Sequence, residues 1–196
     1  MIHINKNFNS VERQLLAGLK GQVINDIQGA FCLDGRDAWN TLRINTDSLS
    51  IDVNLYREGL PVDDEDDDCL DETGVFSIEE SSIEPLAISA VSIDVTTKLV
   101  EKAIKNIRVF ESEIKYFENG ELYYQNNITK AIAFDLNDEW LVLDRKVWFD
   151  EAITITFCSE PLKGIKDDSE DWQNYDEYED CNSGLTMEYK LNHYDV

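Results

Sequence analysis

The sequence predicts an α+β fold, strand-rich, built from antiparallel sheets with short helices. Three observations predict it. Period-two alternation recurs along the chain, as in Leu49, Ile51, Val53 and Leu55 against Ser50, Asp52 and Asn54, which is the pattern of a half-buried strand. Two other stretches space their apolar residues at helical intervals. Hydrophobic residues make up 42% of the 196-residue chain, enough for a packed core in spite of heavy charge.

The first helical stretch is Ser10 to Leu19. Ser10 is placed to cap it, Val11, Leu15 and Leu19 fall on one face, and Gly21 follows as a stop. Leu42 and Ile44 belong to a strand, Asn45 to Ser48 form a turn, and the strand at 49–55 returns. Phe76 and Ile78 alternate next, then Val91, Ile93 and Val95. Thr97 to Ile107 reads as the second amphipathic helix, with Leu99, Val100, Ala103, Ile104 and Ile107 on its apolar face. Glu113 to Tyr124 reads as a hairpin turning at Asn119-Gly120, a pair suited to a type I′ turn. Ile132, Phe134 and Leu136 form a strand, Asn137-Asp138 turns into Trp140 to Leu143, and Ile153, Ile155 and Phe157 form the next. Leu185, Met187, Tyr189 and Leu191 alternate strictly in the last.

The order of features repeats. Phe31 to Leu42 and Phe134 to Leu143 each lead into an alternating strand, then a proline (Pro61, Pro161), an acidic run, a cysteine (Cys69, Cys181) and a glycine (Gly74, Gly184). Trp39 and Trp140 lie 101 residues apart. The pattern suggests two pseudo-repeats of a helix-plus-sheet unit. One would cover 1–95 with an acidic loop at 62–73, the other 96–196 with an acidic loop at 166–183, packed as one globule.

Charge carries the functional reading. The chain has 41 Asp and Glu against 17 Lys and Arg, a formal net charge of −24. That disfavours direct contact with nucleic acid or an anionic membrane and favours a basic partner. The acid is concentrated. Asp63, Asp64, Glu65, Asp66, Asp67, Asp68, Asp71 and Glu72 form one run, and Asp167, Asp168, Glu170, Asp171, Asp176, Glu177, Glu179 and Asp180 another, with no Lys or Arg in either. The other 25 acids against 17 bases leave the rest of the chain near −8, ordinary for a domain. Trp172, Tyr175 and Tyr178 interleave the second run, and such aromatics are frequent interface anchors.

Competing chemistries find less support. Neither run has the glycine and glutamate spacing of an EF-hand, so no metal site is expected. The order Asp94, Glu113-Ile-Lys115, echoed by Glu188-Tyr-Lys190, matches residue types used by metal-dependent nucleases. Glu and Lys two apart in a strand are more simply a solvent face. Gly-rich phosphate loops and nucleophile elbows are missing, and the only histidines are His3 and His193. Cys32, Cys69, Cys158 and Cys181 have no CxxC spacing, and Met1 to Ser10 lacks the apolar core of a signal peptide, so a cytoplasmic setting with free thiols is expected.

The expectation is therefore a non-enzymatic acidic binding protein that masks a basic partner, such as a nucleic-acid-acting enzyme or toxin. It would be of the toxin-immunity or intracellular inhibitor type, with no catalytic residues and no cofactor. The expected contact residues are Asp63, Asp64, Glu65, Asp66, Asp67, Asp68, Asp167, Asp168, Glu170, Asp171, Trp172, Tyr175, Asp176, Glu177 and Tyr178. The alternatives are a DNA-mimic anti-restriction protein and a divalent-metal carboxylate enzyme of nuclease type.

Overall fold

The computed structural model describes residues 2–32, 35–59, 72–82, 84–86, 94–145, 151–168 and 185–196. In chain order the elements are β1 (Ile2–Lys6), α1 (Ser10–Gly18), β2 (Val23–Phe31), β3 (Asp37–Thr46), β4 (Ser50–Gly59) and β5 (Glu72–Glu80). There follow β6 (Thr96–Ala103), β7 (Asn106–Glu118), β8 (Glu121–Asp135), β9 (Trp140–Arg145) and β10 (Ala152–Cys158). A 3₁₀ turn at Pro161–Gly164 and β11 (Leu185–Asp195) complete the set.

This corrects the α+β expectation. Among the described residues the protein is mostly antiparallel β, 67% strand and 9% helix, with one α-helix. The expected helix at 97–107 is β6, a two-residue break at Ile104-Lys105, and the start of β7. Its helical spacing is real, but β2 offers a hydrogen-bonding edge that an isolated helix cannot match. β6 pairs antiparallel with β2 through an irregularity between Ile24 and Asp26. Glu101 takes a left-handed φ of 54° there, and Leu99 is left 76% exposed while Ile104 and Ile107 enter the core. With a strand in place of the second helix, the pseudo-repeat falls as well. Its supposedly equivalent strands also differ: β3 pairs with β2, β4 and β10, whereas the shorter β9 pairs with β8 and β10.

The cap of α1 lies one residue earlier than the sequence suggests. Asn9 accepts from the N–H groups of Val11 and Glu12, while the Glu12 carboxylate accepts from the Asn9 N–H, a reciprocal capping box. The buried face is Leu16 and Leu19; Val11 is exposed.

The eleven strands of the described residues form one sheet, with the path β11-β7-β8-β9-β10-β3-β2-β6. Two long strands fork. The first half of β8 pairs in parallel with β1, up to Ile128, and its second half pairs with β9 from Ala131 onward. β3 likewise divides its edge between β10 and β4. One core draws on both halves of the chain. Ile24, Ile27, Ile44, Ile51, Leu55 and Phe76 meet Ile107, Val109, Ile132, Phe134, Leu143 and Ile153 there. The Asn119-Gly120 turn has both residues at positive φ, as a type I′ hairpin requires. Val91 and Ile93 lie outside the described residues.

On the outer face of β8 and β9, Phe110, Ala131, Ala133 and Val142 form a smaller cluster, with Cys158, Ile165 and Leu191 packed against it. The segment after β10 lies across this cluster. A Cβ added at Gly164 would stand 2.8 Å from the Val142 Cβ and 2.9 Å from its Cγ2, inside any normal contact. Gly164→Ala is therefore expected to cost about 1–3 kcal/mol, the usual range for overpacking, read from the urea midpoint at unchanged m.

Candidate functional site

Where β8 forks, its pairing is irregular. Phe110 of β7 faces Ala131 and Glu111 faces Thr129, so Lys130 is the extra residue of a bulge. Bulges re-aim side chains, and this one sends the Lys130 ammonium into the protein. Lys130 is fully buried. Its Nζ donates to the Arg145 carbonyl at 2.6 Å and to Asp168 Oδ1 at 2.8 Å, with Asp144 Oδ1 at 3.1 Å.

Asp144 and Arg145 end β9. Asp144 Oδ2 accepts from the Lys166 backbone N–H at 2.9 Å. The Arg145 guanidinium donates to Asp168 Oδ2 at 2.7 Å and to the Gly74 carbonyl at 2.9 Å, with Thr73 Oγ1 at 3.4 Å. Lys130, Arg145 and Asp168 are 0% exposed and Asp144 is 2% exposed. Two cations and two acids therefore balance out of reach of solvent, the arrangement that lets buried charge persist.

The two carboxylates titrate in opposite directions. Burial raises the Asp144 pKa to about 6, with the Lys130 charge opposing only in part. Burial also works to raise that of Asp168, but Arg145 and Lys130, both within hydrogen-bonding distance, outweigh it and hold Asp168 below the ordinary carboxylate value. Tyr189 of β11 stands nearby. Burial, then the charges of Asp168 and Asp167, push its phenol well above the usual range.

The cluster sits at the roots of both acidic runs. Thr73 and Gly74 directly follow the first run; Asp168 is the second residue of the second. One guanidinium, Arg145, holds both. The first run is also closed at its base, because Gly59 of β4 pairs with Glu72 of β5.

The expected contact residues divide as follows. Asp63, Asp64, Glu65, Asp66, Asp67, Asp68, Glu170, Asp171, Trp172, Tyr175, Asp176, Glu177 and Tyr178 lie outside the described residues. Asp167 is exposed. Asp168 is internal and neutralised by Lys130 and Arg145, so it offers no charge to a partner. Sequence reasoning missed Lys130, Asp144 and Arg145. The available signal was a lysine beside the otherwise apolar run Ala131 to Phe134, and an Asp-Arg pair directly after Leu141 to Leu143.

The nuclease-like triplets have a different employment. Glu113 and Lys115 of β7 face Lys190 and Glu188 of β11 across the ladder, and Glu113 pairs with Lys115 at 2.8 Å. Asp94 precedes β6, at the other end of the strand path. Among the described residues, no group of three or more acids, histidines or cysteines is placed to hold a metal ion. Two open clefts of about 220 and 290 Å³ flank β11, below the usual size of a small-molecule site. Among the described residues no helix is long and apolar enough to cross a membrane.

Fold and cluster together define an antiparallel β protein whose sheet is fastened by a solvent-excluded ion cluster. The chain matches no known family, no curated protein and no solved structure.

Proposed function

We propose that this is a non-enzymatic acidic binding protein that covers a basic surface on a partner protein, in the manner of a toxin-immunity protein or an intracellular inhibitor. What supports the reading is the common root of the two acidic runs on Arg145. A concentrated acidic field speeds encounter with a basic patch and makes binding fall with salt. A DNA mimic would carry acid along a continuous face. Here the face bearing Glu113, Lys115, Glu188 and Lys190 alternates in sign, which favours the localised reading.

The test is capture from the source cell's lysate at low and high salt. The wild type is compared with a variant in which Asp63 to Asp68, Asp167, Glu170, Asp171, Asp176 and Glu177 become Asn or Gln. Asp168 must be retained, because it is structural. The expected result is a basic protein held by the wild type at low salt and bound at least about tenfold more weakly by a variant of unchanged Tm, a loss typical of removing complementary charge. Equal capture by both would overturn the proposal.

A further inference from the structure

β11 lies at one end of the strand path and is hydrogen-bonded to β7 alone among the described strands. Among the described residues its other edge has no strand beside it, which makes it a template for further pairing. The side chains along it have a particular symmetry. On one face Glu188 and Lys190 are exposed on either side of Tyr189; on the other, Met187, Tyr189 and Leu191 are half-buried. Glu113 and Lys115 pair with each other at 2.8 Å. Among the described residues neither Glu188 nor Lys190 enters an ion pair of its own.

We propose that β11 pairs antiparallel with β11 of a second copy of this chain, about a two-fold axis at Tyr189. In that register Glu188 faces Lys190 of the second copy and Lys190 faces its Glu188. On the other face the two Tyr189 rings meet, and Met187 faces Leu191 each way. Opposite charges and aromatic pairs directly across a ladder are the favourable combinations. Registers displaced by one residue put the polar face of one copy beside the apolar face of the other. Displacement by two sets Glu188 against Glu188 or Lys190 against Lys190. A two-fold interface must be self-complementary, and only the register centred on Tyr189 is so on both faces. A basic strand from another protein would meet Lys190 with like charge, so the second copy is the better occupant. At about 0.15 M salt the Debye length is near 8 Å, which screens the repulsion of two acidic chains.

Sedimentation velocity of the full chain at about 0.15 M salt, over a range of concentrations, tests this. The expected result is a reversible dimer. Lys190→Glu and Glu188→Lys should each weaken it about tenfold or more, since each places like charges opposite. Mixed in equal amounts, the two variants should restore it. One then carries an acid on each side of Tyr189 and the other a lysine on each side, so both cross-strand pairs are again of opposite charge. A wild type that stays monomeric, a variant that dimerises as tightly as the wild type, or a folded mixture that stays monomeric would each overturn the proposal. If either variant fails to fold, amide exchange in the wild type decides. Protection over 185–193 that rises with concentration supports the pairing; protection independent of concentration overturns it.

Discussion

Replacing Asp168 with alanine is expected to destabilise the protein by about 3–5 kcal/mol, the range for removing one partner from a buried ion cluster. The substitution would leave Lys130 and Arg145 buried against Asp144 alone. Each lost contact is short: 2.8 Å to Lys130 and 2.7 Å to Arg145. Lys130→Met should cost a similar amount, because it leaves Asp144 and Asp168 facing a single guanidinium. The double variant Lys130→Met/Asp168→Ala retains one cation and one acid, so its loss should fall well short of the sum of the two singles. Urea denaturation of the wild type, the two single variants at these positions and the double variant closes this cycle; additive losses would show that the cluster does not act as a unit.

The second large effect is on pH. Between pH 3.8 and about 6 Asp144 holds its proton in the native state and has lost it in the unfolded state. The native state then binds more protons, so stability falls as pH rises through that window. At about 1.36 kcal/mol per unit the loss is roughly 2–3 kcal/mol. Glu111 adds to the slope in the same direction, because burial raises its pKa, with Arg13 opposing. Asp168 acts the other way: its lowered pKa gives stability that is present above the unfolded value and is lost as pH falls through the folded one. A plot of Tm against pH should therefore rise from neutral pH toward about pH 4 and fall below it. Asp144→Asn keeps an oxygen for the Lys166 N–H and removes the titrating group, so most of the slope between about pH 4 and 6 should vanish. A slope unchanged in this variant would place its origin elsewhere.

Much of the fold could be read from local pattern. The apolar residues of β4, β10 and β11 recur at every second position of the sequence, and Asn119-Gly120 announces its turn because both residues tolerate positive φ. Burial follows that alternation less closely: Asp52 of β4 is buried against Arg43, and Phe157 of β10 is 45% exposed. Short β1 carries the same alternation in Ile2 and Ile4 but is only five residues long. β2 is harder to read, because its pairing slips between Ile24 and Asp26 and again between Gly29 and Phe31, which interrupts the period of two.

Composition and near-neighbour periodicity settle the net charge of −24, its concentration in two runs, the strand-rich character and the individual alternating strands. The backbone reads these locally, so no distant contact is needed to find them. The assembled sheet settles that 97–103 is a strand, since the open edge of β2 outweighs a helical spacing. It also separates Asp168 from the acids around it. In the sequence that residue is one carboxylate in an acidic run; in the fold, a bulge at Lys130 and the end of β9 bring two cations to it from 38 and 23 residues away. Burial then makes those contacts strong, because charge removed from water must be matched by charge close at hand.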